Sequence, residues 1–204
     1  MFTGIIQSLG EVVSNTVTRT GSRLGIALSA LDPVRIQLGD SIAVNGTCLT
    51  LTELEKNTGY FDVSAETLGR CLIGDWKAGR AVNLELSLTL ESRLGGHLVF
   101  GHVDGVGKLV ERREESEFST MRFEVDQATI GRLVAEKGSI AIDGVSLTTN
   151  AVVDHGSTTG FEVMLVPHTL ENTTFGTLRE GMRVHLEVDQ VARYIHRLWE
   201  SRQP

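Results

Sequence analysis

Ile42-Ala43-Val44-Asn45-Gly46-Thr47-Cys48-Leu49-Thr50-Leu51 returns 98 positions later as Ile140-Ala141-Ile142-Asp143-Gly144-Val145-Ser146-Leu147-Thr148-Thr149. Each copy sets a two-residue turn, Asn45-Gly46 or Asp143-Gly144, between runs rich in β-branched residues. Such pairs suit a type I′ hairpin, whose two central residues both need positive φ. A strand, turn and strand met twice in one chain predict a duplicated β domain.

The match extends in both directions. Glu66-Thr67-Leu68 with Gly79-Arg80-Ala81-Val82-Asn83-Leu84-Glu85 answers His168-Thr169-Leu170 with Gly181-Met182-Arg183-Val184-His185-Leu186-Glu187 at an offset of 102, which implies four extra residues in the second half. Towards the N-terminus, Phe2-Thr3-Gly4-Ile5 aligns with Phe100-Gly101-His102-Val103 at an offset of 98. Val82–Leu88 and Val184–Val188 alternate apolar with polar residues, as strands with one buried face do. Helical signals are short: Asp32-Pro33 opens a segment stopped by Gly39, and Asp126 opens a matching one ending at Gly138. After the second repeat Val191, Tyr194, Ile195, Leu198 and Trp199 share one helical face. That face either packs on its own barrel or meets identical helices, and the second is favoured because two closed barrels leave little core to cover.

The expected fold is therefore all-β: two tandem homologous Greek-key barrels of six strands, residues 1–97 and 98–188, followed by a C-terminal α-helix, residues 189–204. A chain of 204 residues with 41% hydrophobic and 22% charged residues has enough apolar material for two small cores. A net charge of −7 argues against nucleic-acid binding, which requires clustered Lys and Arg. Cys48 and Cys71 are too few for a disulfide scaffold and fit a reducing, cytoplasmic setting. No signal-peptide pattern opens the chain, and no apolar run reaches the roughly 18 residues of a membrane helix. The six histidines form no HExxH or Cys-His cluster, and there is no glycine-rich phosphate loop, so neither metal nor cofactor is expected.

Met1-Phe2-Thr3-Gly4-Ile5, Asn45-Gly46-Thr47-Cys48-Leu49-Thr50, Gly95-Gly96-His97-Leu98-Val99-Phe100-Gly101-His102-Val103 and Asp143-Gly144-Val145-Ser146-Leu147-Thr148, in this order, resemble the α-chain type of riboflavin synthase over essentially the whole sequence. The resemblance implies a homotrimer with a trimerising C-terminal helix. It implies an active site where the N-terminal barrel of one subunit faces the C-terminal barrel of the next, each holding one 6,7-dimethyl-8-ribityllumazine. One molecule donates a four-carbon unit to the other. Association with lumazine synthase is a further expectation of the same kind.

This chemistry needs a proton removed from the C7 methyl of one lumazine, and the ring itself delocalises the resulting charge. The resemblance places His102 as proton carrier, with Cys48, Ser146, Ser41 and Asp189 as further catalytic candidates. By position alone Cys48 and Ser146 are equally small residues at strand starts, Ser41 an edge serine, and Asp189 a helix cap. Thr50 and Thr148 lie two residues beyond Cys48 and Ser146, on the same strand face, within reach of a pyrimidine edge. Expected contacts in the first barrel are Leu49, Asp62, Val63, Ser64, Ala65, Glu66 and Thr67. Those in the second are Leu147, Glu162, Val163, Met164, Leu165, Val166, Pro167 and Thr169, with Lys137 reaching across the subunit boundary. The aligned segments Gly4-Ile5-Ile6 and Gly101-His102-Val103 add contacts from the start of each repeat. In this alignment His102 replaces Gly4, Ser146 replaces Cys48, and His168 replaces Glu66; His168 receives no role. Two rivals stand beside the enzyme. A lumazine protein would bind one ligand without turnover, and a flavin-dependent reductase would need a nicotinamide domain where the second repeat lies.

Overall fold

The computed structural model describes residues 1–28, 31 and 36–202. Twelve strands among them close into two antiparallel barrels. The first contains β1 (Ser8–Thr18), β2 (Gly21–Ala27), β3 (Ser41–Val44), β4 (Thr47–Glu55), β5 (Thr58–Ser64) and β6 (Ala81–Leu86), joined in the order β1-β2-β5-β4-β3-β6 and back to β1. The second contains β7 (Gly105–Glu115), β8 (Phe118–Val125), β9 (Ser139–Ile142), β10 (Val145–His155), β11 (Thr158–Leu165) and β12 (Arg183–Val188), in the same circular order. A hairpin followed by a three-strand meander and a returning strand is the expected Greek key. Closure leaves no free sheet edge. Leu24, Ile26, Ile42, Leu51, Phe61 and Leu84 fill one barrel; Leu109, Phe123, Phe161, Phe175 and Leu186 fill the other.

Both predicted hairpin turns form, with φ of 45° and 77° at Asn45 and Gly46 and 45° and 81° at Asp143 and Gly144. The four extra residues lengthen one hairpin. Beyond a bulge, β4 and β5 make three pairs, Glu53 to Glu55 against Thr58 to Tyr60, whereas β10 and β11 make five, Ala151 to His155 against Thr158 to Glu162. An insertion of two residues per strand preserves the inward face, which one residue would have reversed.

Three expectations change. Phe2 bridges Val99, and Gly4 and Gly101 make the same contacts, so the N-terminal segments align at an offset of 97. His102 therefore stands opposite Ile5, not Gly4. Secondly, β6 and β12 bury both faces: Asn83, Glu85, His185 and Glu187 are 0–4% exposed. Their polar side meets the other barrel and the chain segments that cross between the barrels, where hydrogen bonds replace water. Thirdly, the helical segment expected from Asp126 shrinks to α2 (Ala128–Gly131), with Gln127 at its cap, while Asp126 accepts a hydrogen bond from Thr158 Oγ1 at 3.0 Å. The segment expected at Asp32-Pro33 lies outside the described residues.

Two short helices had no sequence assignment. These are α1 (Ala65–Arg70), capped by the Ser64 hydroxyl on Thr67 N–H, and α3 (Pro167–Asn172), begun by a proline at its first turn. Last comes α4 (Gln190–Glu200), capped by Asp189 Oδ1, which accepts from Val191 N–H at 2.8 Å. Val191, Tyr194, Ile195, Leu198 and Trp199 remain 62–65% exposed, so the apolar stripe does not pack on its own barrel.

Candidate active site

The barrels meet about an approximate twofold relation. Gly46 and Gly144 abut so closely that a Cβ at Gly46 would lie 2.6 Å from Gly144 N. Asn83 Nδ2 donates to the Asp143 carbonyl at 2.9 Å, and its Oδ1 accepts from Thr174 N–H at 2.8 Å. His185 makes the corresponding pair, Nδ1 with the Asn45 carbonyl at 2.8 Å and Nε2 with Leu72 N–H at 2.7 Å.

Two chain segments cross this boundary. Phe2 and Val99 bridge each other through backbone bonds of 2.7 and 3.1 Å. The segment entering the first barrel lies on the second: the Gly4 carbonyl accepts from Ser146 N–H at 2.8 Å. The segment entering the second barrel lies on the first: the Gly101 carbonyl accepts from Cys48 N–H at 2.9 Å. Gly4 and Gly101 have φ of 74° and 75°, and a Cβ on either would sit 2.5 Å from Ser146 Cβ or Cys48 Cβ. Glycine is required twice over, by backbone conformation and by closeness.

On the first barrel the outward side chains of β4 and β5 are Cys48, Thr50, Asp62 and Ser64, with Ser41 paired beside Thr50. A cleft of ≈ 350 Å³ gathers Cys48, Glu66, Thr67, Gly101, His102 and Arg193. Val103 and Ala65 flank it. Arg193 of α4 pairs with Asp104 at 2.8 Å, and burial raises the Asp104 carboxyl above its ordinary range.

On the second barrel the outward row is Ser146, Thr148, Met164 and Val166. Since Leu51 pairs with Phe61 and Thr149 with Val163, Met164 replaces Asp62 and Val166 replaces Ser64. This face is the more apolar, and Ile5 adds to it where the first pocket has His102. Its proton-bearing group is His97, whose Nδ1 lies 2.7 Å from Ser146 Oγ. Burial holds His97 below its ordinary value, partly offset by Asp189. Neutral His97 can accept the Ser146 hydroxyl proton at Nδ1. Gly96 passes over Ser146, where a Cβ would approach Ser146 Oγ to 2.7 Å.

The structure does not use every expected residue as a side-chain contact. Leu49, Val63, Val163 and Leu165 are 0–4% exposed and point into the barrels, so they offer only backbone. Glu162 lies outward at the bulge, held by Arg113 at 3.3 Å. Ile6 and Leu147 pack against the second core. Pro167, His168 and Thr169 belong to α3 beside this face. Lys137 is exposed in a turn rather than at a helix end; its φ of 62° is the left-handed conformation that Gly39 has in the first repeat. Among the described residues no group of three or more His, Cys, Asp or Glu could hold a metal ion, and no helix is long and apolar enough to cross a membrane.

A model of the lumazine-binding domain matches residues 3–87 and again residues 100–189. The chain belongs to the lumazine-binding domain family. It is 43% identical over 203 residues to a riboflavin synthase of Brucella abortus, covering 97% of this chain and 98% of the relative. A riboflavin synthase of Mycobacterium tuberculosis is 44% identical over 203 residues, with 98% and 99% covered. Among solved structures, LumP complexed with 6,7-dimethyl-8-(1'-D-ribityl) lumazine superposes with a TM-score of 0.81 at 23% identity, over 92% of this chain and 99% of that one. LumP complexed with riboflavin gives 0.80 at 25%, over 93% and 100%.

Sequence reasoning missed four residues of this lumazine-binding pair of barrels. His97 stood unused within a quoted motif. Glu85 and Glu187 were visible as the same acid at equivalent positions of two apolar strands. Arg193 left no signal, because only the return of α4 over the first barrel brings it to the cleft.

Proposed function

We propose that the protein makes riboflavin, converting two molecules of 6,7-dimethyl-8-ribityllumazine into riboflavin and 5-amino-6-ribitylaminouracil by transfer of a four-carbon unit. The products together contain every atom of the two substrates, so the reaction balances without oxidant or reductant. The observation that carries this reading is the pair of equivalent outward faces, alike in backbone and unlike in chemistry. Two copies of one heterocycle need like cradles, and becoming donor and acceptor requires that the cradles treat them differently.

In this reading Thr50 and Thr148 bond the pyrimidine edges, and Cys48, Ser146 and Ser41 contact the reacting rings. His102 exchanges the proton of the C7 methyl, and His97 supports Ser146. Asp62, Ser64, Ala65, Glu66 and Thr67 hold one ligand. Ile5, Met164, Val166, Pro167 and Thr169 hold the other, with Lys137 reaching from a neighbouring subunit. Asp189 acts through the cap of α4 and its field on His97. The exposed stripe of α4 supports a homotrimer, which would bring unlike faces together across subunits. A cytoplasmic transferase able to associate with lumazine synthase completes the proposal.

Protein incubated with the lumazine alone should accumulate one riboflavin per two substrates consumed, read by absorbance and chromatography. The solved LumP neighbours favour one alternative, a carrier that binds without turnover. Tight binding with no product from the intact oligomer would establish that alternative instead.

A further inference from the structure

Glu85 and Glu187 are buried carboxylates that hold no ion pair among the described residues. Glu85 Oε1 accepts from Thr3 N–H and Thr3 Oγ1–H, both at 2.6 Å, and Oε2 accepts from Gly4 N–H at 2.9 Å. Glu187 repeats the arrangement, Oε1 accepting from Phe100 N–H at 2.7 Å and Oε2 from His102 N–H at 2.9 Å. The two side chains are 2% and 4% exposed. A buried carboxylate is costly to keep, and a strand position in a packed barrel would ordinarily be apolar.

The connectivity gives them a use. Glu85 belongs to the first barrel, yet the segment it holds covers Ser146 of the second. Glu187 belongs to the second barrel, yet its segment covers Cys48 of the first and carries His102. We propose that Glu85 and Glu187 are crossed latches: each closing strand fixes the strap over the other barrel's pocket, so that Glu187 positions Gly101 and His102 at Cys48 and Glu85 positions Gly4 and Ile5 at Ser146. The proposal deepens the functional reading above in treating these faces as the two substrate pockets, although the latching itself is independent of any reaction. It also makes each pocket a joint product of both barrels, since the strap over each barrel's face is held by the closing strand of the other.

The test is the rate at which iodoacetamide alkylates Cys48 in the full-length protein, followed by peptide mass spectrometry and referenced to the same reaction in urea-unfolded protein, since Cys71 lines the same cleft. Gln is nearly isosteric but has one acceptor oxygen and turns an NH2 towards a backbone N–H. Glu187→Gln should speed Cys48 alkylation about tenfold or more by raising the population of the open strap, while Glu85→Gln changes it by less than about twofold. Glu187→Asp, which keeps the charge but cannot span both N–H groups, should act like Glu187→Gln and serves if the glutamine variant fails to fold. Under turnover, Glu187→Gln should lower kcat more than it raises KM for the lumazine, as expected when His102 is displaced. Equal acceleration in Glu85→Gln and Glu187→Gln would mean general loosening and would overturn the crossed arrangement, as would no acceleration in either. If the crossed pattern appears in a protein that forms no riboflavin, the latches stand and the functional reading fails.

Discussion

His185 occupies in the second barrel the place that Asn83 occupies in the first, and both donate to a turn carbonyl and accept a backbone N–H from the opposite barrel. For an imidazole this double duty demands the neutral form protonated at Nδ1, because a proton on Nε2 would face the Leu72 N–H. Burial accordingly pushes His185 down to about 4 from 6.5.

The barrel interface should therefore weaken in acid. A group whose folded value lies below its unfolded one contributes stability that is present above the unfolded value, here 6.5, and lost as pH falls towards about 4. His185→Asn, which copies the chemistry of the first barrel, should flatten the urea midpoint between those limits. An unchanged acid profile would show that other groups govern it.

Asp143 works in the opposite sense. Burial raises it to about 7 from 3.8, so its contribution is complete below 3.8 and lost as pH rises through about 7. Asp143→Asn mimics Asn45, which already accepts from Asn83 N–H at 2.6 Å. It should stabilise the protein at pH 8 by about 1–3 kcal/mol relative to wild type, with the gain shrinking as pH falls and vanishing below about 3.8.

Gly46→Ala should destabilise by more than about 3 kcal/mol, since a φ of 77° and the Gly144 backbone both oppose a side chain. Gly79→Ala is the control. With φ of 88° and open space around it, the cost should stay near 1 kcal/mol in the same chemical denaturation.

Lys137→Gly should be neutral or stabilising by up to about 1 kcal/mol, because it removes a left-handed lysine and restores the residue of the first repeat. If Lys137 reaches substrate across subunits, the same variant raises KM. A stable variant with unchanged kinetics would remove Lys137 from the site.

His102→Gln should lower kcat about tenfold to a hundredfold while changing ligand affinity less, because an amide keeps hydrogen bonds but cannot exchange the proton. Equal losses in both, measured by steady-state kinetics and riboflavin titration, would assign His102 to binding alone.

The barrels were legible from residues alone because their signals are local. Asn45-Gly46 and Asp143-Gly144 set turns through the positive φ of adjacent residues, alternation along single strands marks inward faces, and the repeat itself reports two units. Cys48 and Ser146 were candidates through the resemblance, and strand parity then put Thr50 and Thr148 on the same face. The crossed straps did not, because their contacts join residues far apart in the chain, Thr3 to Glu85 over 82 positions and His102 to Glu187 over 85. For the same reason the polar residues of β6 and β12 looked like a solvent face. Alternation distinguishes polar from apolar sides, but whether water or another barrel satisfies the polar one is decided only when the two closed sheets come together.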